Sequence, residues 1–450
     1  MSTSTVTDAT GRPGAPDAPI TLAEPPPRTL GLHGTLGLWG NLGISLLLPV
    51  AATFVVLPGR PLAVTMLAIV IGAVIGSVLL GVGAAAGARA GVPAMVLLRG
   101  LLGYRLSYLP TVLNVMQCVG WATFEIVIIA EPAARVLGAP RWPFVLGAGA
   151  LATLMAVRPL RAVRVLSRYA VWVALAAIGY FFVRVLSHPL HPVTSGGAAS
   201  FWAAVDIVIA MPVSWFPLAA DYTRHVRGPK PAFAGTAVGY GAATVGLFAL
   251  GVLALAAYGK VGLDVVGALL AVPLGVLAVL VLVVVELDEA FANVYSTAVS
   301  MQNIAARLDR RVLAVAVGVV STVLALAFDI TAYEPFLFLI GAVFVPLVGV
   351  FVVAYALLRD RWDVSETAPA RPWLLLPWAA GFVAYQLTLP TYFTGAGSGW
   401  TAWWTARQRD LGIDPANGWS ASLVSLAVAM AGTALACAPA ALRRRRGTGG

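Results

Sequence analysis

Charge is what this chain has least of. Only 11% of its 450 residues are Asp, Glu, Lys or Arg, against roughly a quarter in soluble domains. A soluble fold of this composition would leave a large apolar surface in water, at a cost of about 25 cal/mol per Å². Cysteine is nearly missing as well. Cys118 and Cys437 are the only two and both lie inside apolar runs, which excludes a disulfide scaffold and a cysteine zinc site. The four histidines (His33, His188, His191, His225) sit in the tail or near the ends of apolar runs. His188 and His191 are each followed by proline, so they read as a loop and not as a helical metal pair. Residues 1–30 hold no apolar stretch of signal-peptide type; rich in Ser, Thr, Pro and Ala, they read as a disordered cytoplasmic tail.

What the chain has in excess is apolar sequence in long runs: 60% hydrophobic residues and a mean hydropathy of +0.88. Twelve apolar segments lie near 35–57, 63–88, 107–130, 142–157, 165–186, 200–219, 232–258, 268–303, 312–328, 335–358, 372–390 and 420–438. About 20 residues suffice for a helix to cross a ~30 Å hydrocarbon core. The expected class is therefore an all-α integral membrane protein. The eighth segment has two readings, because 268–285 is long enough to span alone. Lys and Arg set the orientation. With both ends cytoplasmic, Arg60, Arg135, Arg141, Arg184, Lys260, Arg407 and Arg409 fall outside, and the other 22 of 29 basic residues fall inside. The net charge of +10 then reports topology and not a nucleic-acid partner, and Arg443–Arg446 form a stop signal in a basic tail, 441–450. The expected location is the cell membrane, with the lipid bilayer as surroundings and no obligate protein partner.

Polar groups inside such segments are functional candidates, since an ionisable residue at mid-membrane costs at least ~2.5–3.5 kcal/mol. Segment three carries Asn114, Gln117, Trp121 and Glu125 on one stripe about 80° wide at 100° per residue. An aromatic plate, two amides and a carboxylate suit a flat solute that hydrogen-bonds; the plainer alternative is a polar packing seam. Segment eight carries Glu289, Asn293, Ser296 and Ser300 on one face, with Glu286 and Asp288 close by, acids that would attract a cation. Segments one and six carry helix breakers. The first reads Trp39-Gly40-Asn41-Leu42-Gly43-Ile44-Ser45, with Pro49 a turn later, and the sixth reads Met211-Pro212-Val213-Ser214-Trp215-Phe216-Pro217. Broken backbone is tolerated in a bilayer only where it lines a cavity. Broken segments one and six and polar segments three and eight are each five apart. That is the correspondence of a five-plus-five inverted repeat around a central site. The expected division is 31–190 for the first repeat, 198–358 for the second, and 370–440 for two further helices.

At these residues the sequence resembles the nucleobase–cation symporter-1 family, which includes cytosine permeases, purine and allantoin transporters and hydantoin carriers. The matching motifs are Asn-x-x-Gln-x-x-Gly-Trp (Asn114 to Trp121) with Glu125 a turn on, Ser214-Trp215-Phe216-Pro217-Leu218, and Asp221-Tyr222-Thr223-Arg224. The likeness spans segments one to ten, and the Ser-Trp-x-Pro-Leu form is nearest the hydroxymethylpyrimidine branch. It implies a LeuT-like fold in which Trp121 stacks on the substrate ring. Glu125, where the family often has Gln, and Asn293 hydrogen-bond that ring, and Ser214 and Trp215 of the broken sixth segment surround it. Gln117 joins them as a substrate contact. The resemblance places a coupling cation against segment-one carbonyls near Gly40 and Gly43 and against side-chain oxygens of segment eight. Here Leu287 and Asp288 stand at the usual hydroxyl positions, so Asp288 or Glu289 becomes the expected proton carrier if sodium is not used.

The resulting expectation is a secondary active transporter, not an enzyme. It imports a planar nucleobase-like solute (hydroxymethylpyrimidine, cytosine or a related pyrimidine or purine) with Na⁺ or H⁺ and without an organic cofactor. A carboxylate at 125 suits a donor-rich ring edge better than a carbonyl-rich one. The alternative, a membrane-embedded enzyme acting on a lipid or isoprenoid, has Glu286, Asp288 and Glu289 as its only acidic cluster, unaccompanied by histidine.

Overall fold

The computed structural model describes residues 26–157, 161–194, 197–259, 264–305, 309–393, 395–414 and 417–447. In hydrocarbon each backbone N–H and C=O must be satisfied within its own segment, so the apolar runs become helices. All twelve have a helical counterpart. The first is a bent pair, α1 (Leu32–Leu42) and α2 (Leu47–Ala51), the second arm turned by 58° from the line of the first. Then come α3 (Leu62–Ala90), two single turns α4 (Ala94–Leu97) and α5 (Arg99–Leu102), α6 (Tyr108–Leu137), α7 (Trp142–Val157) and α8 (Arg161–Leu186). The sixth segment is α9 (Phe201–Ser214) and α10 (Ala219–Thr223), joined by a 3₁₀ turn at Phe216–Leu218. After these follow α11 (Pro229–Tyr258), α12 (Val265–Ala271), α13 (Gly275–Met301), α14 (Arg310–Ala327) and α15 (Tyr333–Leu358). The chain ends with α16 (Leu375–Thr388), α17 (Ser398–Asp410) and α18 (Ala421–Gly447).

Three details differ from the sequence expectation. The eighth segment is not one run from 268, nor does 268–285 span alone. Pro273 has no N–H and disfavours helix at the residue before it. The chain turns there, with Leu274 at φ +56, and the long helix starts at Gly275. In the sixth segment Pro212 lies within α9, and the interruption is milder than expected: a turn and a 3₁₀ stretch at Trp215–Leu218 within a span that runs on from Phe201 to Thr223. Arg99, counted above as a loop charge, is only 4% exposed. Its Nε donates to Asn303 Oδ1 at 2.7 Å, pinning α5 to the residues just beyond α13.

Packing follows the small residues. Along α3, Gly72, Gly76, Gly83 and Gly87 face α9 and α10 so closely that a Cβ on Gly72 would sit 2.6 Å from Val208 Cβ. On Gly87 it would sit 2.5 Å from Ala220 Cβ. Backbones that approach this closely gain van der Waals contact where lipid offers no hydrophobic drive. The helix α3 also runs along α11, α6 runs along α13, and α18 packs on both α15 and α16. Large apolar side chains such as Leu67, Val74, Met116, Leu154 and Val319 remain exposed on outer faces, as suits a hydrocarbon environment. The breaks of the first and sixth segments and the polar stripes of α6 and α13 meet at the centre.

Candidate functional site

Glu125 occupies the middle of α6, one turn beyond Trp121, and is 2% exposed. Its Oε1 accepts from Asn293 Nδ2 of α13 at 2.7 Å. Its Oε2 is buried without a hydrogen-bond partner. Asn293 Nδ2 also donates to the backbone oxygen of Glu289 at 3.2 Å, a bond back along α13 that fixes the amide. The Trp121 ring is held edge-on by Tyr333 and Phe336 of the α15 region at centroid distances of 5.9 and 5.3 Å. Such T-shaped contacts fix an aromatic plate in place.

A small cavity lies between these groups. Leu42, Ser45, Leu47 and Leu48 line it from the first break, Met211, Ser214, Trp215 and Leu218 from the second. Trp121 and Glu125 of α6, Tyr240 of α11, and Glu289 and Asn293 of α13 complete the wall. The free space is about 20 Å³, room for about one water, far less than a heteroaromatic ring occupies. Next to Trp215 lies a cluster of edge-on rings. Trp39 stands 6.0 Å from Trp215, 6.0 Å from Tyr222 and 6.2 Å from Tyr240.

The cavity thus brings together six of the residues singled out from sequence: Trp121, Glu125, Ser214, Trp215, Glu289 and Asn293. Gln117 lies outside its lining. The Gln117 Nε2 donates to Asn114 Oδ1 at 2.9 Å and to Ser214 O at 2.8 Å, while Asn114 Nδ2 donates to Ser300 Oγ at 2.8 Å. This lower half of the stripe is a hydrogen-bonded seam joining α6 to α9 and α13. Gly40 and Gly43 also stand off the lining, against α11. A Cβ on Gly43 would meet Ala243 Cβ at 2.5 Å, and one on Gly239 would meet Gly40 N at 3.0 Å. The side chain of Asp288 lies outside the described residues.

The acid that reaches the first break is Glu286. Ser45 Oγ donates to its Oε1 at 2.8 Å and Leu46 N donates to its Oε2 at 2.7 Å. Sequence reasoning named Glu286 only as a neighbour of the segment-eight stripe and missed Ser45, Met211 and Tyr240 as site residues. A signal existed for two of them. Ser45 follows the glycines of the break, and Tyr240 is the one aromatic within a long run of Gly, Ala, Val and Thr.

A search of curated protein sequences finds no match to the chain. Among solved structures it is similar to Mhp1, described as a nucleobase-cation-symport-1 family transporter, in a closed conformation with bromovinylhydantoin bound. That likeness has a TM-score of 0.67 at 18% identity, over 93% of this chain and 98% of that one. An inward-facing Mhp1 structure gives 0.68 at 20% identity, over 89% and 93% of the two chains. A substrate-bound, outward-open Na⁺-coupled sialic acid symporter gives 0.55 at 11%, over 90% and 96%. These likenesses show the fold, an all-α integral membrane architecture of LeuT type. A family model described as permease for cytosine/purines, uracil, thiamine and allantoin matches residues 46–368, which takes in both polar stripes, all of the sixth segment and the part of the first that follows its break. The chain belongs to that permease family.

Proposed function

We propose that this permease is a secondary active transporter that imports a planar, nucleobase-like solute together with Na⁺ or H⁺. The observation that carries the reading is the buried, unpartnered Oε2 of Glu125 beside the Trp121 ring, in a cavity bounded by both broken segments. An acceptor left unpaired in a low-dielectric interior costs about 1–3 kcal/mol, more when charged. A ring that stacks on Trp121 and donates to Glu125 removes that cost. Trp215, Ser214 and Asn293 complete the proposed substrate contacts, with Gln117 bracing Ser214 from behind. The hydroxymethylpyrimidine branch, cytosine and related rings are the substrates this arrangement favours.

The coupling ion is proposed to bind where the first break meets α13, near the carbonyls of Gly40 and Gly43, with Asp288 or Glu289 as the protein acid. The fold neighbour described as Na⁺-coupled favours sodium, and the density of acids in segment eight favours a proton. Coupling requires that ion and substrate stabilise the same open state, so each must tighten the other to the same degree. Both ends of the chain are proposed to be cytoplasmic in the cell membrane. Residues 31–190 and 198–358 are proposed as the two inverted repeats, and rocking of one helix group against the other opens the cavity to each side in turn.

Counterflow of labelled cytosine or hydroxymethylpyrimidine in proteoliposomes tests the reading. Exchange that is lost in the Trp121→Ala, Glu125→Ala double variant supports it. Exchange that survives the double variant removes the site assignment.

A further inference from the structure

A groove of about 860 Å³ runs between α6, α14, α15 and α16, against about 20 Å³ of free space in the central cavity. Ligand clefts commonly hold about 300–1,000 Å³. Its wall is almost wholly apolar, with Leu109, Met116, Leu324, Phe344, Leu375 and Phe382 among its members. Only Trp378 and Gln117 bring polar side-chain atoms to the lining, and the donors of both are used within the protein. Trp378 Nε1 donates to Val343 O at 2.8 Å. Gln117 Nε2 donates to Asn114 Oδ1 and to Ser214 O, and Gln117 Oε1 is buried. A polar solute finds no donor here. Small residues keep the space open. A Cβ on Gly120 would collide with the ring of Phe336, and Ala379 is exposed on the α16 side.

From Leu109 to Gly120 the groove follows α6 for about three turns, about 16 Å at a rise of 1.5 Å per residue. That is half of a ~30 Å hydrocarbon core, the depth of one leaflet. Leu109 and Leu375 line it from the first turns of α6 and α16. Arg371 N donates to Leu102 O at 2.9 Å, which ties the approaches to these two helix starts together. Arg105 is exposed in the turn that leads into α6, where its carbonyl accepts from Tyr108 N at 3.2 Å. Trp373, 47% exposed, stands two residues before Leu375. A basic residue and a tryptophan at the start of an apolar slot mark the level of lipid headgroups, and the basic one complements an anion. We propose that the groove binds an anionic phospholipid of the cytoplasmic leaflet, one acyl chain lying along α6 as far as Gly120 and the headgroup meeting Arg105. The choice of leaflet rests on the orientation proposed above. Lipid tails are as apolar as this wall, so the chain supplies packing and the headgroup supplies selectivity. The bound chain backs Gln117, which braces the carbonyl of the cavity residue Ser214. One side chain then separates lipid from the transport cavity's wall.

The test titrates the full chain, washed free of lipid in detergent, with dioleoylphosphatidylglycerol and with dioleoylphosphatidylcholine. Native mass spectrometry and thermal shift are the readouts. One phosphatidylglycerol is expected to be retained in preference to phosphatidylcholine and to raise the thermal midpoint. Ala379→Trp fills the groove and should lose that lipid. Ala380→Trp, at the next exposed position and outside the lining, should keep it. Arg105→Gln should weaken phosphatidylglycerol about fivefold, the contribution of one basic residue at a membrane surface, and leave phosphatidylcholine unchanged. Equal retention by the two tryptophan variants, or equal binding of the two lipids by the natural chain, overturns the proposal. A second readout needs no variant. In nanodiscs, phosphatidylglycerol with a diazirine at the chain end should label peptides around Gly120 and Phe336. With the diazirine beside the headgroup it should label those around Arg105 and Leu109. Label spread evenly to exposed Leu67 of α3 and Leu154 of α7, the reverse order along the groove, or cross-links from the groove to a second copy of the chain each overturn it. None of these measurements reads transport, so their failure leaves the transport reading standing. Loss of counterflow with the lipid retained removes the transport reading alone.

Discussion

Glu286 braces the first break from α13. Its two oxygens take the hydroxyl of Ser45 and the N–H of Leu46, and it is fully buried. Ser45 Oγ in turn accepts from Leu47 N at 3.0 Å. Broken backbone in a membrane interior exists only where something replaces the missing helical bonds; here Glu286 takes the Leu46 N–H and Ser45 takes that of Leu47. Glu286→Ala therefore leaves the Leu46 N–H buried and unpaired, a loss of about 1–3 kcal/mol. Glu286→Gln keeps one acceptor oxygen and should lose less. Thermal unfolding in detergent is expected to rank the natural chain above Glu286→Gln and Glu286→Ala lowest; equal midpoints would remove this role. At the same scale the sequence was readable only in part. The pairing of Trp121 with Glu125 is local, one turn of α6, and periodicity finds it. The pairing of Ser45 with Glu286 spans 241 residues, and no periodicity within one segment encodes it.

Among the helices, α18 packs on α15 and α16, and its first turn is tied to α9 by a single acid. Asp206 of α9 accepts from Ser420 Oγ, from Ala421 N at 2.8 Å and from Ser422 N at 3.1 Å. These are orphan donors at the start of α18, where the helix dipole also favours an anion. Asp206→Ala should free that end. Faster amide exchange at the start of α18, with α6 unchanged, is the expected outcome, and uniform exchange across both helices would argue against a local clamp. The α3 glycine stripe makes a second prediction. In Gly76→Val the new Cβ would lie 2.9 Å from Pro212 Cγ and 3.0 Å from Ile209 O. Overpacking of this kind costs about 1–3 kcal/mol and should lower the thermal midpoint, whereas Gly147→Val on α7, where a Cβ meets nothing within 4 Å, should not. The helices themselves were legible because each crossing needs a long apolar run. The turns α4 and α5 and the helix α17 were not, since short helices between crossings carry no length signal. Asp206 went unnoticed for a related reason: it stands alone in an apolar segment, and its partners lie more than 200 residues away.

Taken whole, the molecule places almost no charge inside, and most of the exceptions are acids. Among the described residues the buried Asp, Glu, Lys and Arg side chains are the acids Glu125, Asp206, Asp221, Glu286 and Glu289 and the bases Arg99 and Arg224. A transporter so built is suited to carry positive charge inward with its load. An inside-negative potential of 100 mV contributes about 2.3 kcal/mol per elementary charge, about 50-fold in accumulation. Orientation is tested first. Cys118 and Cys437 are buried, so a cysteine placed at exposed Arg409 or Arg359 reports on its own side. Arg409→Cys is expected to react with an impermeant maleimide on intact cells, and Arg359→Cys only after permeabilisation. With orientation fixed, charge and flux are measured together in proteoliposomes under an imposed potassium-diffusion potential. Uptake of cytosine should accelerate inside-negative, and uptake indifferent to potential would rule out cation coupling. The sodium dependence of that charge then separates the coupling ions. One charge, lost with uptake when sodium is replaced, means that sodium enters with the ring. One charge, unaffected by sodium, means that a proton is the coupling ion.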